Sequence, residues 1–132
     1  MKERVRVFLS FEFGKDDKKH HNFYSQAKCH SKYEIIDESL NEPYYPDAQW
    51  LNKARVQIKK SDIVIVMLGQ DTHNAPGVEK ELGEAHQLKK PMFQVRPQGR
   101  TYGEVRGACE VIPWKWKQID AKIAEKLSEL CK

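Results

Sequence analysis

Residues 59–96 read KKSDIVIVMLGQDTHNAPGVEKELGEAHQLKKPMFQVR. Ile63 to Leu68 is a continuous apolar, β-branched run, which predicts a strand buried on both faces of a parallel sheet. Gly69 to Asn74 is turn chemistry. Pro76 suits the first turn of a helix, where its missing N–H costs nothing. The helix runs until Pro91 stops it, and Met92 to Val95 is a second apolar run. A strand–helix–strand unit of this kind is a crossover connection, almost always right-handed. At about 100° per residue, Val78, Leu82, Ala85 and Leu88 share one arc of the helix. Glu81 falls inside that arc, whereas Glu79, Lys80 and Glu84 fall outside it or at its margin. A carboxylate on the sheet-facing side costs free energy unless something uses or pairs it. Early in the helix it should lie near the carboxyl ends of the strands, where open α/β sheets bind ligands. The plainer alternative is that Glu81 turns to the edge and pairs with a Lys or Arg.

Outward from this unit the chain alternates. Arg4 to Phe13 predicts a first strand, followed by a loop at Gly14–Asp17. Asp16 or Asp17 would cap a helix that reaches about Lys28, with Phe23 and Ala27 facing the sheet. Tyr33 to Ile36 predicts a second strand. After the Asn41–Pro46 loop, Asp47 would cap a helix on which Trp50, Ala54 and Ile58 share a face. On the far side, Pro97 to Gly107 is too polar and glycine-rich for a long helix, and its role is open. Ala108 to Ile112 predicts a last short strand, and Ile119, Ile123, Leu127 and Leu130 form the stripe of a final helix. Alternating strands and helices imply a flavodoxin-like, doubly wound parallel sheet of five strands between two helix layers, in order 2-1-3-4-5.

The chain has 132 residues, the size of one domain, and 1–132 is read as such. No apolar run approaches the roughly 20 residues that span a bilayer, and the start carries no signal-peptide core. The net charge of +4 comes from dispersed basic residues with acidic ones among them. That is a solvated surface, and neither nucleic acid nor membrane is expected as a partner. Cys29, Cys109 and Cys131 form no CxxC pair and no zinc spacing, so they read as reduced thiols in the cytoplasm. No metal is expected.

Several chemistries share this architecture. A phosphoacceptor receiver needs acids at the end of strand one and an aspartate at the end of strand three. Ser10-Phe11 and Leu68-Gly69 stand there instead. A flavodoxin needs a phosphate-cradling loop after strand one, where this chain has FEFGKDDKK. No GxGxxG, GxxxxGK[ST] or GxSxG pattern occurs.

RVFLSFEF, IKKSDIVIVMLGQDT and GVEKELGEAHQLKKPMFQV, in that order, resemble the TIR-like domains of bacteria and archaea, including those of Thoeris anti-phage defence. Phe8, Ser10 and Phe11 supply the family's first-strand pattern. Ile58, Ser61, Asp62, Gly69 and Thr72 supply the central strand and its loop, and Val78, Glu81, Leu82 and Ala85 the next helix. The resemblance covers most of residues 4–96. It implies cleavage of the nicotinamide–ribose bond of NAD, which is substrate and not cofactor, and an ADP-ribose-derived product, in some members cyclic. It also implies a catalytic role for Glu81, self-association through TIR–TIR contacts, and a separate effector that senses the product. One departure is Asn74-Ala75-Pro76-Gly77, where many members place a tryptophan.

The chemistry is coherent. Nicotinamide leaves neutral, and the ribose passes through an oxocarbenium-like state. A carboxylate can hold the ribose hydroxyls and offset that charge. A glutamate, with a reference pKa of about 4.3, is ionised at pH 7 unless burial raises it strongly. Candidate substrate contacts are Ser10, Phe11, Asp37, Ser39, Trp50, Thr72 and His73. All but Thr72 have a plainer reading. Ser10 would cap the strand end, and Phe11 and Trp50 would be core. Asp37 and Ser39 would close a turn, and His73 would be a solvated loop residue, as His20 and His21 would be on the surface. Two other functions fit the sequence. One is a non-catalytic interaction module. The other is a nucleoside deoxyribosyltransferase-like N-glycosidase, which would want further acidic or asparagine ligands.

Overall fold

The computed structural model describes residues 2–130, without the side chains of residues 129 and 130. Leu130, on the predicted last stripe, and Cys131 therefore lie outside the described side chains. The strands are β1 (Arg4–Ser10), β2 (Glu34–Asp37), β3 (Ile63–Met67), β4 (Met92–Arg96) and β5 (Val111–Pro113). The helices are α1 (Asp17–His30), α2 (Ala48–Lys60), α3 (Pro76–Gln87) and α4 (Trp116–Leu130). The sheet order is β2-β1-β3-β4-β5, all parallel.

Strand alternation divides the core between two layers. Val5, Val7 and Leu9 of β1 pack with Ile63, Ile65 and Phe93 against Phe23 of α1 and Ile119 and Ile123 of α4. Phe8 faces the other way with Val64 and Val66, against Ile58 of α2 and Val78, Leu82 and Ala85 of α3. β3 is buried at every position, as its unbroken apolar run requires.

Several predicted boundaries move, each for a local reason. β1 ends at Ser10, not Phe13. The chain turns there, with the amides of Lys15 and Asp16 both bonded to the Glu12 carbonyl. Neither Asp16 nor Asp17 caps α1 with its side chain: Asp16 Oδ1 meets Lys19 Nζ at 2.8 Å, and Asp17 accepts from the Gly14 N–H. β5 starts at Val111, not Ala108, because Cys109 takes a left-handed φ of 67° that no strand allows. Asp47 does cap α2, accepting from the Trp50 N–H at 2.8 Å. Asp47→Ala should lower stability by about 1 kcal/mol, read from a urea midpoint. An unchanged midpoint would mean that solvent satisfies the freed Trp50 amide equally well.

Candidate active site

The carboxyl end of β1 and the start of α3 meet where the winding reverses, between β1 and β3. Ser10 is the last residue of β1 and points to the α2–α3 side, in phase with Phe8. Pro76 opens α3 as its first residue, which sets Glu81 one and a half turns in. Ser10 Oγ donates to Glu81 Oε1 at 2.7 Å. Ser10 is wholly buried and Glu81 only 6% exposed. The expected pairing of a helix acid with a basic residue does occur, but one turn later. Glu84, read from the sequence as marginal to the arc, is buried, and Arg55 of α2 grips both its oxygens at 2.8 and 3.1 Å. Among the described residues no Lys or Arg forms an ion pair with Glu81. Burial pushes its carboxyl up to about 8, against the opposing pull of the Ser10 hydroxyl. The exception stated for an ionised glutamate, strong elevation by burial, applies here, and the resting side chain is mostly protonated at pH 7.

Glu81 lines a cleft of about 210 Å³. Its walls carry four aromatic side chains, Phe11, Phe13, Tyr44 and Trp50, and three acids, Glu12, Glu42 and Glu81. No Lys or Arg lines it, although Lys15 and Lys53 stand behind Glu12 and Glu42 at 3.6 and 3.1 Å. Trp50, from the first turn of α2, is 4% exposed and meets Tyr44 edge-on, with ring centroids 4.8 Å apart. Gly77 lets Tyr44 approach, since a Cβ there would stand 3.0 Å from Tyr44 Cβ.

The other candidates divide. Phe11 both lines the cleft and belongs to the core, and its ring stacks on His20 at 4.6 Å. His20 is therefore no plain surface residue, and its Nε2 lies 3.0 Å from Asp37. Asp37 and Ser39 lie off the cleft and close their own corner: Asp37 accepts from the Ser39 N–H, and Ser39 Oγ accepts from the Leu9 N–H. Thr72 is occupied as a cross-link, accepting from the Gly69 N–H at 2.7 Å and facing Asp16 at 3.4 Å. A Cβ at Gly69 would collide with the Asp16 carboxyl and force it to shift. His73 is exposed beside Asn74. Glu12, Phe13, Glu42 and Tyr44 were not singled out from the sequence. They sit on loops without periodicity, and only the sheet topology brings those loops to Glu81.

A family model described as "Thoeris protein ThsB, TIR-like domain" matches residues 8–102. The chain belongs to this family. The match runs from Phe8 in β1 to Tyr102 and so takes in Ser10, Glu81 and the whole cleft of this TIR-like domain. Membership supports a TIR-like role in defence signalling. The TIR-like domain is also similar to the crystal structure of a prokaryotic SEFIR domain, with a TM-score of 0.44 and 14% identity, over 94% of this chain and 90% of that one. No curated protein matches the sequence. Among the described residues no helix is long and apolar enough to cross a membrane, and no group of His, Cys, Asp and Glu side chains is arranged to hold a metal ion.

Proposed function

We propose that this TIR-like domain cleaves the nicotinamide–ribose bond of NAD and generates an ADP-ribose-derived signal. The observation that carries the reading is the cleft itself: a buried glutamate bonded to Ser10, among aromatic walls and acids, with no basic residue lining it. Such a lining suits a flat cationic ring, which gains from aromatic faces and from negative charge. It is unsuited to phosphate. The volume is below that of a site enclosing a whole drug-sized ligand, so the nicotinamide end enters and the pyrophosphate stays outside. Self-association through TIR–TIR contacts would then cover the remainder, and a separate effector would read the product.

The step balances without a redox partner. The C–N bond breaks, and its electron pair moves to the ring nitrogen, so nicotinamide leaves neutral. The cationic ribose carbon is then attacked by water or by a nucleophile of the same or another nucleotide. The arriving pyridinium lowers the pKa of Glu81, and the carboxylate so formed faces the developing oxocarbenium. Ionisation of Glu81 is the switch, so kcat/KM should rise with pH and level off above about pH 8.

The decisive experiment is mass spectrometry of NAD incubated at high protein concentration. Wild type should release nicotinamide, and Glu81→Gln should slow release by at least about 10²-fold. The mass of the co-product separates hydrolysis, cyclisation and transfer. Equal release by wild type and variant would defeat the role given to Glu81, and no release at any concentration would defeat the proposal and favour the interaction module. One observation favours a second reading, a deoxyribosyltransferase-like N-glycosidase: Glu12 and Glu42 supply the extra acids that such an enzyme needs. Turnover of free deoxynucleosides, with NAD untouched, would establish it.

A further inference from the structure

The His20 side chain is only 14% exposed, although the sequence reads it as a surface residue. Its ring lies flat on Phe11, with centroids 4.6 Å apart and planes 11° from parallel, and it meets Tyr24 edge-on at 5.3 Å. Its Nε2 stands 3.0 Å from Asp37 Oδ2. Burial alone would raise the Asp37 carboxyl, but the bonds from His20 and Ser39 outweigh it and hold the group below its usual value. An ionised carboxylate can only accept, so His20 Nε2 carries a proton and donates. Asp37 is itself anchored, because its other oxygen accepts from the Ser39 N–H at 2.8 Å. The imidazole cannot turn without breaking its bond to a fixed acid.

What this pair holds is a wall of the cleft. Phe11 lies one residue past Ser10, the last paired residue of β1, so no strand ladder fixes it. Phe11 lines the cleft beside Glu81. His20, Asp37 and Tyr24 line a second pocket of about 490 Å³, and Phe13 lines both. The stacked rings of Phe11 and His20 thus join the two pockets, and stacking fixes the plane of one ring by that of the other. We propose that His20 is a positioning residue for Phe11: Asp37 holds the imidazole flat, and the imidazole sets the plane that Phe11 presents to a ring bound in the cleft. This rests on the reading of the cleft as the seat of a flat ring, and it gives a part to two residues that do not line it. Contact between Phe11 and a cationic ring is made on binding and gains nothing as the ring leaves neutral. The pair should therefore act on KM and not on kcat.

The first measurement needs no ligand. The phenylalanine rings are labelled with ¹³C, and the Phe11 signals are assigned by their loss in Phe11→Leu. Asp37→Ala frees the imidazole and should shift those signals. In a His20→Phe background the flat ring needs no acid to hold it, so there Asp37→Ala should leave the Phe11 signals in place. The second measurement is NAD kinetics. Asp37→Ala should raise KM about tenfold and keep kcat within about twofold, and in the His20→Phe background it should change neither. Phe11 signals unmoved by Asp37→Ala overturn the proposal. So does an effect of Asp37→Ala that persists in the His20→Phe background, since Asp37 would then serve only its own corner with Ser39. The two proposals fail separately. If NAD is not cleaved, the glycohydrolase fails and the Phe11 signals still decide the positioning role. If NAD is cleaved and Asp37→Ala keeps the wild-type KM, the positioning role fails alone.

Discussion

Glu81→Gln should make the folded protein about 3 to 5 kcal/mol more stable above pH 8. Burial lifts the Glu81 carboxyl from 4.5 to about 8 in the folded state, with only the Ser10 hydroxyl opposing. Below pH 4.5 the group is protonated whether the chain is folded or not, and it does not weaken the fold. Between the two values the unfolded chain gives up the proton and the folded chain keeps it, so stability falls as pH rises. Above about 8 the loss is complete, and each pH unit in the interval is worth about 1.4 kcal/mol. Glutamine has the same shape and no charge, so it escapes the whole effect. The measurement is the urea midpoint of both proteins at pH 5 and pH 8.5. The gap between them should be small at pH 5 and several kcal/mol at pH 8.5. A constant gap would mean that Glu81 ionises freely and that the cleft is wet. A residue that weakens its own fold at neutral pH, yet sits against a cleft, is the pattern expected where function and stability oppose each other.

That residue was legible in the sequence because helical periodicity is a strong signal. Val78, Leu82 and Ala85 defined an arc, and an acid within it stood out. The same wheel left Glu84 at the margin, although it is buried. A helix wheel places a side chain in angle but does not know that Arg55 of α2 stands opposite. The sheet was legible for a similar reason, since β3 and β4 are apolar runs with helices between them. What periodicity could not reach were the loops. Asp37, Ser39 and His73 were marked by position and Thr72 by the family pattern; Asp37 meets His20, Ser39 meets Leu9, Thr72 ties Gly69 to Asp16, and His73 is exposed. Phe11 and Trp50 were read as candidates with a plainer core role, and the structure gives each a place both in the core and on the cleft. The stack of His20 on Phe11 had no sequence signal at all, because those rings and Asp37 meet only in three dimensions.

Gln94→Met should cost about 3 kcal/mol and loosen residues 97–110 specifically. This segment replaces the helix expected between two parallel strands, so its backbone polar groups have no ladder of their own. Gln94, buried in β4, serves instead. Its Oε1 accepts from the Val105 N–H at 2.7 Å, and its Nε2 donates to the carbonyls of Val105 and Cys109 at 3.1 and 2.9 Å. Val105 and Ala108 are thereby carried into the α2–α3 side of the core. Methionine fills nearly the same volume and makes none of these bonds, so the packing term is small. What remains is the buried Val105 N–H and the part-buried Cys109 carbonyl without partners, while the Val105 carbonyl keeps the Ala108 N–H at 3.4 Å. Each lost partner costs about 1 to 3 kcal/mol unless the segment opens to water, so the estimate is the cost of one or two groups. Hydrogen exchange locates it: the Val105 amide should lose protection, while Val64 and Val66 in β3 keep theirs. The segment packs its Gly103 on His73, and Lys19 lies over the Tyr102 ring, so its loosening should reach the loop that leads into α3. Equal protection at Val105 in both proteins would mean that the burial of Val105 and Ala108 alone holds the segment. In that case Gln94 would be a passenger in β4, and the polar stretch after Pro97 would owe its place to two apolar side chains.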